Sequence, residues 1–220
     1  MNQDINIILD FDNTIIQLET IEVLAEFSLE KDTNKDNIYN KIKNMTNLAM
    51  SGKLSFSEAL SKRISLIGAA KNDVDKTIRF LKEKISPSFK KNLSFFNERK
   101  ENCFIISGGF KEIITPIIKE LNFLEKNIFA NSFIYNNQKI ISVDKNNPLA
   151  QNNGKNLVAQ NLKGYNIIIG DGYTDYEVKK HNNAKLFIQF IENINRVELN
   201  ESADFICSDF SEIVEIIKNV

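Results

Sequence analysis

Five short apolar runs punctuate the 220-residue chain: 5–9 (INIIL), 103–106 (CFII), 165–169 (YNIII), 185–189 (KLFIQ) and 204–207 (DFIC). They are continuous rather than alternating, which suits parallel strands buried on both faces. Helical patterns fall between them, at 110–121 (FKEIITPIIKEL), 155–162 and 174–180. Strands alternating with helices predict an α/β fold, a mostly parallel sheet covered on both sides. Right-handed crossovers then bring the carboxyl ends of the strands to one edge, where such folds bind ligands.

The first and second runs are separated by a long stretch, residues 16–86, with helical patterns near 20–30, 36–50, 55–67 and 73–84. A connection of this length is not a loop. It predicts an α-helical domain inserted into an α/β core made of residues 1–15 and 87–220. Pro87 in "SPS" marks the return, because the residue before a proline is turned away from helix. Residues 127–146 (NIFANSFIYNNQKIISVDKN) predict a β-hairpin turning at Asn136–Asn137.

Composition narrows the function classes. Hydrophobic residues make up 42% and charged residues 26%, ordinary for a globular domain, and the net charge of −1 supplies no basic field for nucleic acid or a membrane surface. No apolar stretch approaches membrane-spanning length, and the start lacks a basic segment followed by an apolar run. A cytoplasmic location is therefore expected. Cys103 and Cys207 sit beside or within apolar runs and form no CxxC pair, so they read as small buried hydrophobes. His181, the sole histidine, follows "VKK" at a helix end, where the dipole favours it, and is given no catalytic role.

Chemistry concentrates at the predicted strand ends. "NIILDFDNTII" (6–16) places Asp10 and Asp12 two apart at the end of the first run. Period two puts both side chains on one side of an extended backbone and turns Phe11 towards the core. The second run ends at Ser107, followed by Gly108 and Gly109, which permit close backbone approach, and by a helix start suited to an anion. The third run ends at Asp171 in "GDGYTD". Thr174 and Glu177 fit a capping box, which would start a helix at Thr174 and put Asp175 in its first turn.

Lys155 in "NNGKNL" lies near a helix start, where a cation opposes the dipole. Beside Ser107 and the glycines, it reads as a partner for an anion. Acids without thiol or histidine ligands suit a hard cation, best Mg2+. Phe56, Leu60, Arg63 and Ile67 share one helical face. Arg63 there either snorkels to its edge or offers a bidentate fork to a carboxylate. Glu19 on its own reads as a surface acid near a helix start.

The ordered set "DFDNT" (10–14), Ser107 in "SGG", Lys155 and "GDGYTD" (170–175) resembles the four motifs of the haloacid dehalogenase-like phosphatases. Any one of them is short enough to arise by chance; the order and spacing are specific. The resemblance extends over nearly the whole chain to the phosphoserine phosphatase family. Glu19 in "QLETIEVLAE", the segment 49–67 with Met50, Phe56 and Arg63, and "NPLAQNNGK" before Lys155 all resemble that family's pattern.

The resemblance implies a Rossmannoid three-layer core with a helical cap, and Mg2+-dependent hydrolysis of O-phosphoserine in serine biosynthesis. It implies Asp10 as nucleophile and Asp12 as general acid and base. Asp10, Asp171 and the main-chain carbonyl of Asp12 would hold the metal, with Asp175 supporting them from behind. Ser107, Gly108 and Lys155 would bind the phosphoryl group. Glu19 and Arg63 would read the ammonium and carboxylate, and Met50, Phe56 and Thr174 would complete the substrate pocket. A small phosphomonoester is the expected partner, and a monomer or homodimer the expected state. Thr174 stands where some members have Asn, Asn13 where Ser is common, and 188–202 matches no motif. The rivals are a related phosphatase for another small phosphomonoester, a receiver-type signalling module, and a phosphate-binding protein that has lost catalysis. The second needs only about half this chain and no helical insert.

Overall fold

The computed structural model describes residues 5–220; residues 1–4 of the expected core segment lie outside the described residues. The strands are β1 (Ile5–Leu9), β2 (Cys103–Phe110), β3 (Ile128–Asn131), β4 (Phe133–Asn136), β5 (Lys139–Val143), β6 (Tyr165–Gly170), β7 (Leu186–Phe190) and β8 (Phe205–Cys207). Four helices follow β1: α1 (Thr20–Ser28), α2 (Lys35–Met50), α3 (Phe56–Ile67) and α4 (Lys71–Leu81). The remaining helices are α5 (Pro87–Lys91), α6 (Leu93–Glu98), α7 (Lys111–Glu120), α8 (Gly154–Ala159), α9 (Tyr173–Lys180) and α10 (Phe210–Lys218).

One all-parallel sheet runs in the order β3-β2-β1-β6-β7-β8. The chain winds outward on both sides of β1, so the strand order reverses there, and a ligand crevice is expected outside its carboxyl end. Leu9 lies in register with Ile105 on one side and Ile169 on the other. Successive residues of β1 face opposite layers. Ile7 and Leu9 join the larger core with α7 and α10, while Ile8 packs with Ile106, Ile168, Val158 and Val178 beneath α8 and α9. Phe89, Phe96 and Phe210 meet in the larger core with ring centroids 5.0–5.5 Å apart. Burying each such side chain contributes about 1.5–3 kcal/mol.

Several elements differ from the sequence reading. The sheet has a sixth strand: "IFAN" forms β3 beside β2, and only 133–143 makes the hairpin. β3 is four residues long and one residue from β4, so pattern alone merged them. Asn136 pairs with Lys139, so the turn is Asn137–Gln138, with Asn137 in the left-handed region (φ 53°) that asparagine tolerates. β2 does not end at Ser107 but keeps pairing, irregularly, to Phe110. The fourth helix starts at Lys71 rather than 73, because the Asp73 carboxylate accepts the Ala70 N–H at 2.9 Å. α9 is capped by Asp175, which accepts the Gly172 N–H at 3.1 Å, instead of by Thr174 and Glu177.

The two chain segments joining α1–α4 to the sheet lie side by side. Gln17 N–H donates to Lys84 O and Ser86 N–H to Ile15 O, both at 2.9 Å. On another side, Ala69–Lys71 pairs with the hairpin: Lys71 N–H donates to Gln138 O (2.8 Å) and Ile140 N–H to Ala69 O (2.9 Å).

Candidate active site

Asp10 is the first residue past β1, and its N–H still bonds Ile169 O at 2.9 Å. Phe11–Ile15 then coils into a tight turn closed by the Ile16 N–H on Phe11 O at 3.0 Å, with Asn13 at φ 52°. Phe11 is fully buried in the core, while Asp10 and Asp12 face the crevice. Asp10 Oδ1 accepts from the Phe11 N–H (2.7 Å) and from Lys155 Nζ (2.8 Å), which leaves Oδ2 free of these bonds. Asp12 Oδ1 accepts from both the N–H and the hydroxyl of Thr20 at the start of α1.

The irregular end of β2 turns Ser107 and Gly108 towards the same crevice, and Ser107 Oγ accepts the Gly109 N–H at 3.0 Å. Asn131, at the end of β3, donates to Gly108 O (2.9 Å) and Leu149 O (3.2 Å). One buried amide thus ties the Ser107 loop to the segment leading to Lys155. Lys155 in the first turn of α8 is not solvated; its Nζ sits between Asp10 Oδ1 (2.8 Å) and Asp175 Oδ1 (2.7 Å).

The insert supplies the opposite wall. Arg63 is buried, with Nε on Ala59 O (3.2 Å) and Nη1 on the Thr46 hydroxyl (2.9 Å). It does not snorkel. Glu19 precedes α1 and accepts from Asn13 Nδ2 at 2.6 Å. The ring of Phe56 covers Gly108, and the Met50 sulfur lies against Gly172. Asp10, Asp12, Glu19, Met50, Phe56, Arg63, Ser107, Gly108, Lys155, Asp171 and Thr174 line a single cavity of about 20 Å³. Asp175 lies beneath it, both oxygens engaged by Lys155 and Gly172.

Charge in this space is unbalanced. Asp10, Asp12, Glu19, Asp171 and Asp175 share it with three cations, Arg63, Lys155 and Arg196. Burial, then Asp10, pushes Asp12 up to about 7, against its bonds to Thr20. Burial and the charge of Asp10 likewise push Asp175 up to about 8; its single lysine does not offset the neighbouring acids. Burial raises Glu19 well above the carboxylate range, helped by Asp12 and Asp171. Asp171 is raised by burial, with Arg196 opposing. For Lys155 burial works downward, but Asp10 and Asp175 outweigh it and lift it above the usual lysine value.

An excess of two acids, all with oxygen donors, fits a divalent hard cation. Among the described residues, carboxylate oxygens of Asp10, Asp171 and Asp175 lie within 4.8 Å of one another. The side-chain triad thus contains Asp175, while the Asp12 carboxylate is turned to Thr20.

Arg196 carries no motif in the sequence. It lies in the 188–202 segment, where Nε donates to Asp171 Oδ2 (2.8 Å) and Nη2 pairs with Glu19 Oε1 (3.4 Å). Its one visible signal is its place just beyond the carboxyl end of β7, on the ligand-binding edge. Asn131 and Thr20 escaped as well, since each is a lone polar residue without motif spacing.

The sequence model of the haloacid dehalogenase-like hydrolase family matches residues 7–179. The chain is 31% identical to the phosphoserine phosphatase of Bos taurus over 93% of its own length and 89% of that protein. It is 28% identical to the phosphoserine phosphatase of Methanocaldococcus jannaschii, covering 97% and 96%. The crystal structure of a phosphoserine phosphohydrolase-like protein from Francisella tularensis superposes with a TM-score of 0.89 at 28% identity, covering 97% of this chain and all of that one. The matched span begins in β1 and ends within α9, taking in Asp10, Ser107, Lys155 and Asp171; the chain belongs to the haloacid dehalogenase-like hydrolases, in their phosphoserine phosphatase family.

Proposed function

We propose that this enzyme hydrolyses O-phosphoserine to serine and phosphate, with Mg2+ as its cation and an aspartyl-phosphate on Asp10 as its intermediate. The observation that carries the reading is one cavity with two kinds of wall. Asp10, Ser107 and Lys155 form a side suited to a phosphoryl group, and Glu19 with Arg63 forms a side suited to a zwitterion. The 31% identity to a phosphoserine phosphatase supports the same substrate.

In the first half-reaction an Asp10 carboxylate oxygen attacks phosphorus as the bond from phosphorus to the serine oxygen breaks. Phe11 N–H and Lys155 fix the plane of that carboxylate. Asp12, raised to about 7, holds a proton near neutrality and gives it to the departing serine oxygen. In the second half-reaction Asp12 takes a proton from water, the water oxygen bonds phosphorus, and the bond to Asp10 breaks to release phosphate. The Ser107 hydroxyl, Gly108 and Lys155 bind the phosphoryl oxygens. Asp10 and Asp171, with the Asp12 carbonyl, would hold the cation, which neutralises phosphate charge when bound. Arg63 pairs with the substrate carboxylate through its planar fork, and Glu19 with its ammonium. We assign residues 16–86 to a cap that excludes water during the reaction and 87–220 with the first strand to the core. On this reading the enzyme supplies serine in the cytoplasm, as a monomer or homodimer.

The test is phosphate release, with and without Mg2+, from O-phosphoserine, from O-phosphoethanolamine (no carboxylate) and from phospholactate (no ammonium). O-phosphoserine should be preferred in kcat/KM over both truncated analogues, with activity lost in a chelator. Equal turnover of all three would remove the amino-acid reading of Glu19 and Arg63.

A further inference from the structure

Asn152 lies outside the catalytic cavity, three residues before Lys155, yet three groups of the insert converge on its side chain. Its Oδ1 accepts from Ser55 Oγ (2.9 Å), from the Ser57 N–H (3.1 Å) and from Ser57 Oγ (3.1 Å). The main-chain N–H can only donate, so the facing atom is the amide oxygen. Ser55 precedes α3 and does not cap it with its own side chain. The first turn of the helix that carries Phe56 and Arg63 is therefore capped from another part of the chain.

The surroundings give this contact a function. The cavity of about 20 Å³ holds roughly one water, so a substrate reaches Asp10 only when the insert moves. The insert is fastened by main-chain hydrogen bonds at two places, Ile15–Gln17 with Lys84–Ser86 and Ala69–Lys71 with the hairpin. Near the tip Met50–Phe56 it is held by side chains: Phe56 on Gly108, Met50 on Gly172, and the Asn152 clasp. An open cleft of about 280 Å³ lies beside that clasp, between Lys53–Phe56 and Tyr173–Glu177.

Behind the clasp the chain is close-packed at Gly154, where a Cβ would meet Pro148 O at 2.6 Å, and Asn153 stands at φ 59°. The same segment carries Lys155 and is tied through Asn131 to Gly108.

We propose that Asn152 is a positioning residue for the phosphatase reaction: its amide oxygen caps α3 when the insert is shut and so sets the fraction of enzyme in which Phe56 and Arg63 face Ser107 and Lys155. The kinetic part rests on the proposed hydrolysis of O-phosphoserine. Loss of a helix-capping acceptor shifts such an equilibrium by about 2- to 30-fold. Substrate bound at saturation draws the insert shut, so the defect falls on KM more than on kcat.

The experiment compares the full chain with Asn152→Ala and Asn152→Asp, by hydrogen exchange of residues 55–59 and by kinetics on O-phosphoserine. Asn152→Ala should speed exchange of the first turn of α3 by about 2- to 30-fold and raise KM by a similar factor, with kcat changed less. Asn152→Asp keeps the acceptor and should restore both. Unchanged exchange in Asn152→Ala, or an Asp variant as loose as the Ala variant, overturns the clasp. If the unaltered enzyme ignores O-phosphoserine, the proposed substrate falls, while the exchange result still decides the clasp.

Discussion

Replacing Gly108 with alanine tests how α3 seats on the core. A Cβ at this position would lie 2.6 Å from Cζ and 2.9 Å from Cε2 of Phe56. Ordinary contact starts near 3.4 Å, so the ring must retreat by almost 1 Å. The backbone of Gly108 is not in the left-handed region, so an alanine brings a steric effect without backbone strain. Overfilling a packed site costs about 1–3 kcal/mol. At 1.36 kcal/mol per tenfold, kcat/KM should fall about 5- to 150-fold. Global stability should change little, because the closed insert can give way before the core does. The discriminating assay is a double-mutant cycle with Phe56→Leu, which removes the ring that the new methyl meets. If the reasoning holds, Gly108→Ala does less harm in the Phe56→Leu background than alone. Additive losses would mean that the methyl acts on the phosphoryl site directly, and the seating argument would be wrong.

Other perturbations read other parts of the site. Arg196→Met leaves Asp171 buried without its partner and should cost about 3–5 kcal/mol in a urea titration, less when Mg2+ is saturating; an unchanged midpoint would show that the pair contributes nothing. Asp12 at about 7 and Asp175 at about 8 both lie above the ordinary 3.8, so the folded state binds more protons than the unfolded one between roughly pH 4 and 8. Stability measured in a chelator should therefore fall as pH rises through that window, and a rise would contradict the acid excess. Asp10→Asn should abolish turnover while the circular dichroism spectrum is kept; hydrolysis surviving in the purified variant would remove Asp10 as nucleophile.

Much of the site was readable because strand ends leave strong marks. The alternation Asp10–Phe11–Asp12 needs only period two, and each motif sits where a buried run stops. What escaped depends on packing that leaves no periodic trace. Arg196 is set by its main chain: Gln189, near the end of β7, donates to Arg196 O at 3.0 Å, and beyond its place after β7 no motif spacing in "ENINRVELNES" signals it. The start of α9 is ambiguous in the sequence, which offers two capping registers. Asp175 takes the role because its carboxylate turns inward to Lys155, while the Thr174 hydroxyl lies buried at the cavity wall without a partner among the described residues. Asn152 resembles any exposed loop amide until the insert is seen to lie across it.

On the cap reading, closure would be coupled to acidity through the stretch from Asp10 to Thr20. Asp12 bonds the first turn of α1, and Glu19 beside it bonds both Asn13 and Arg196, so α1 cannot shift without disturbing these contacts. The largest single effect on Asp12 is burial, which raises it; the Thr20 bonds lower it. An opened insert would expose Asp12 and part it from Thr20, and a solvated carboxylate has lost its proton at neutral pH. Shutting it would bury Asp12 again and favour the protonated form. On this reading the proton for the departing serine oxygen would be held when the substrate is enclosed, with Arg63 and Phe56 brought over the site by the same movement.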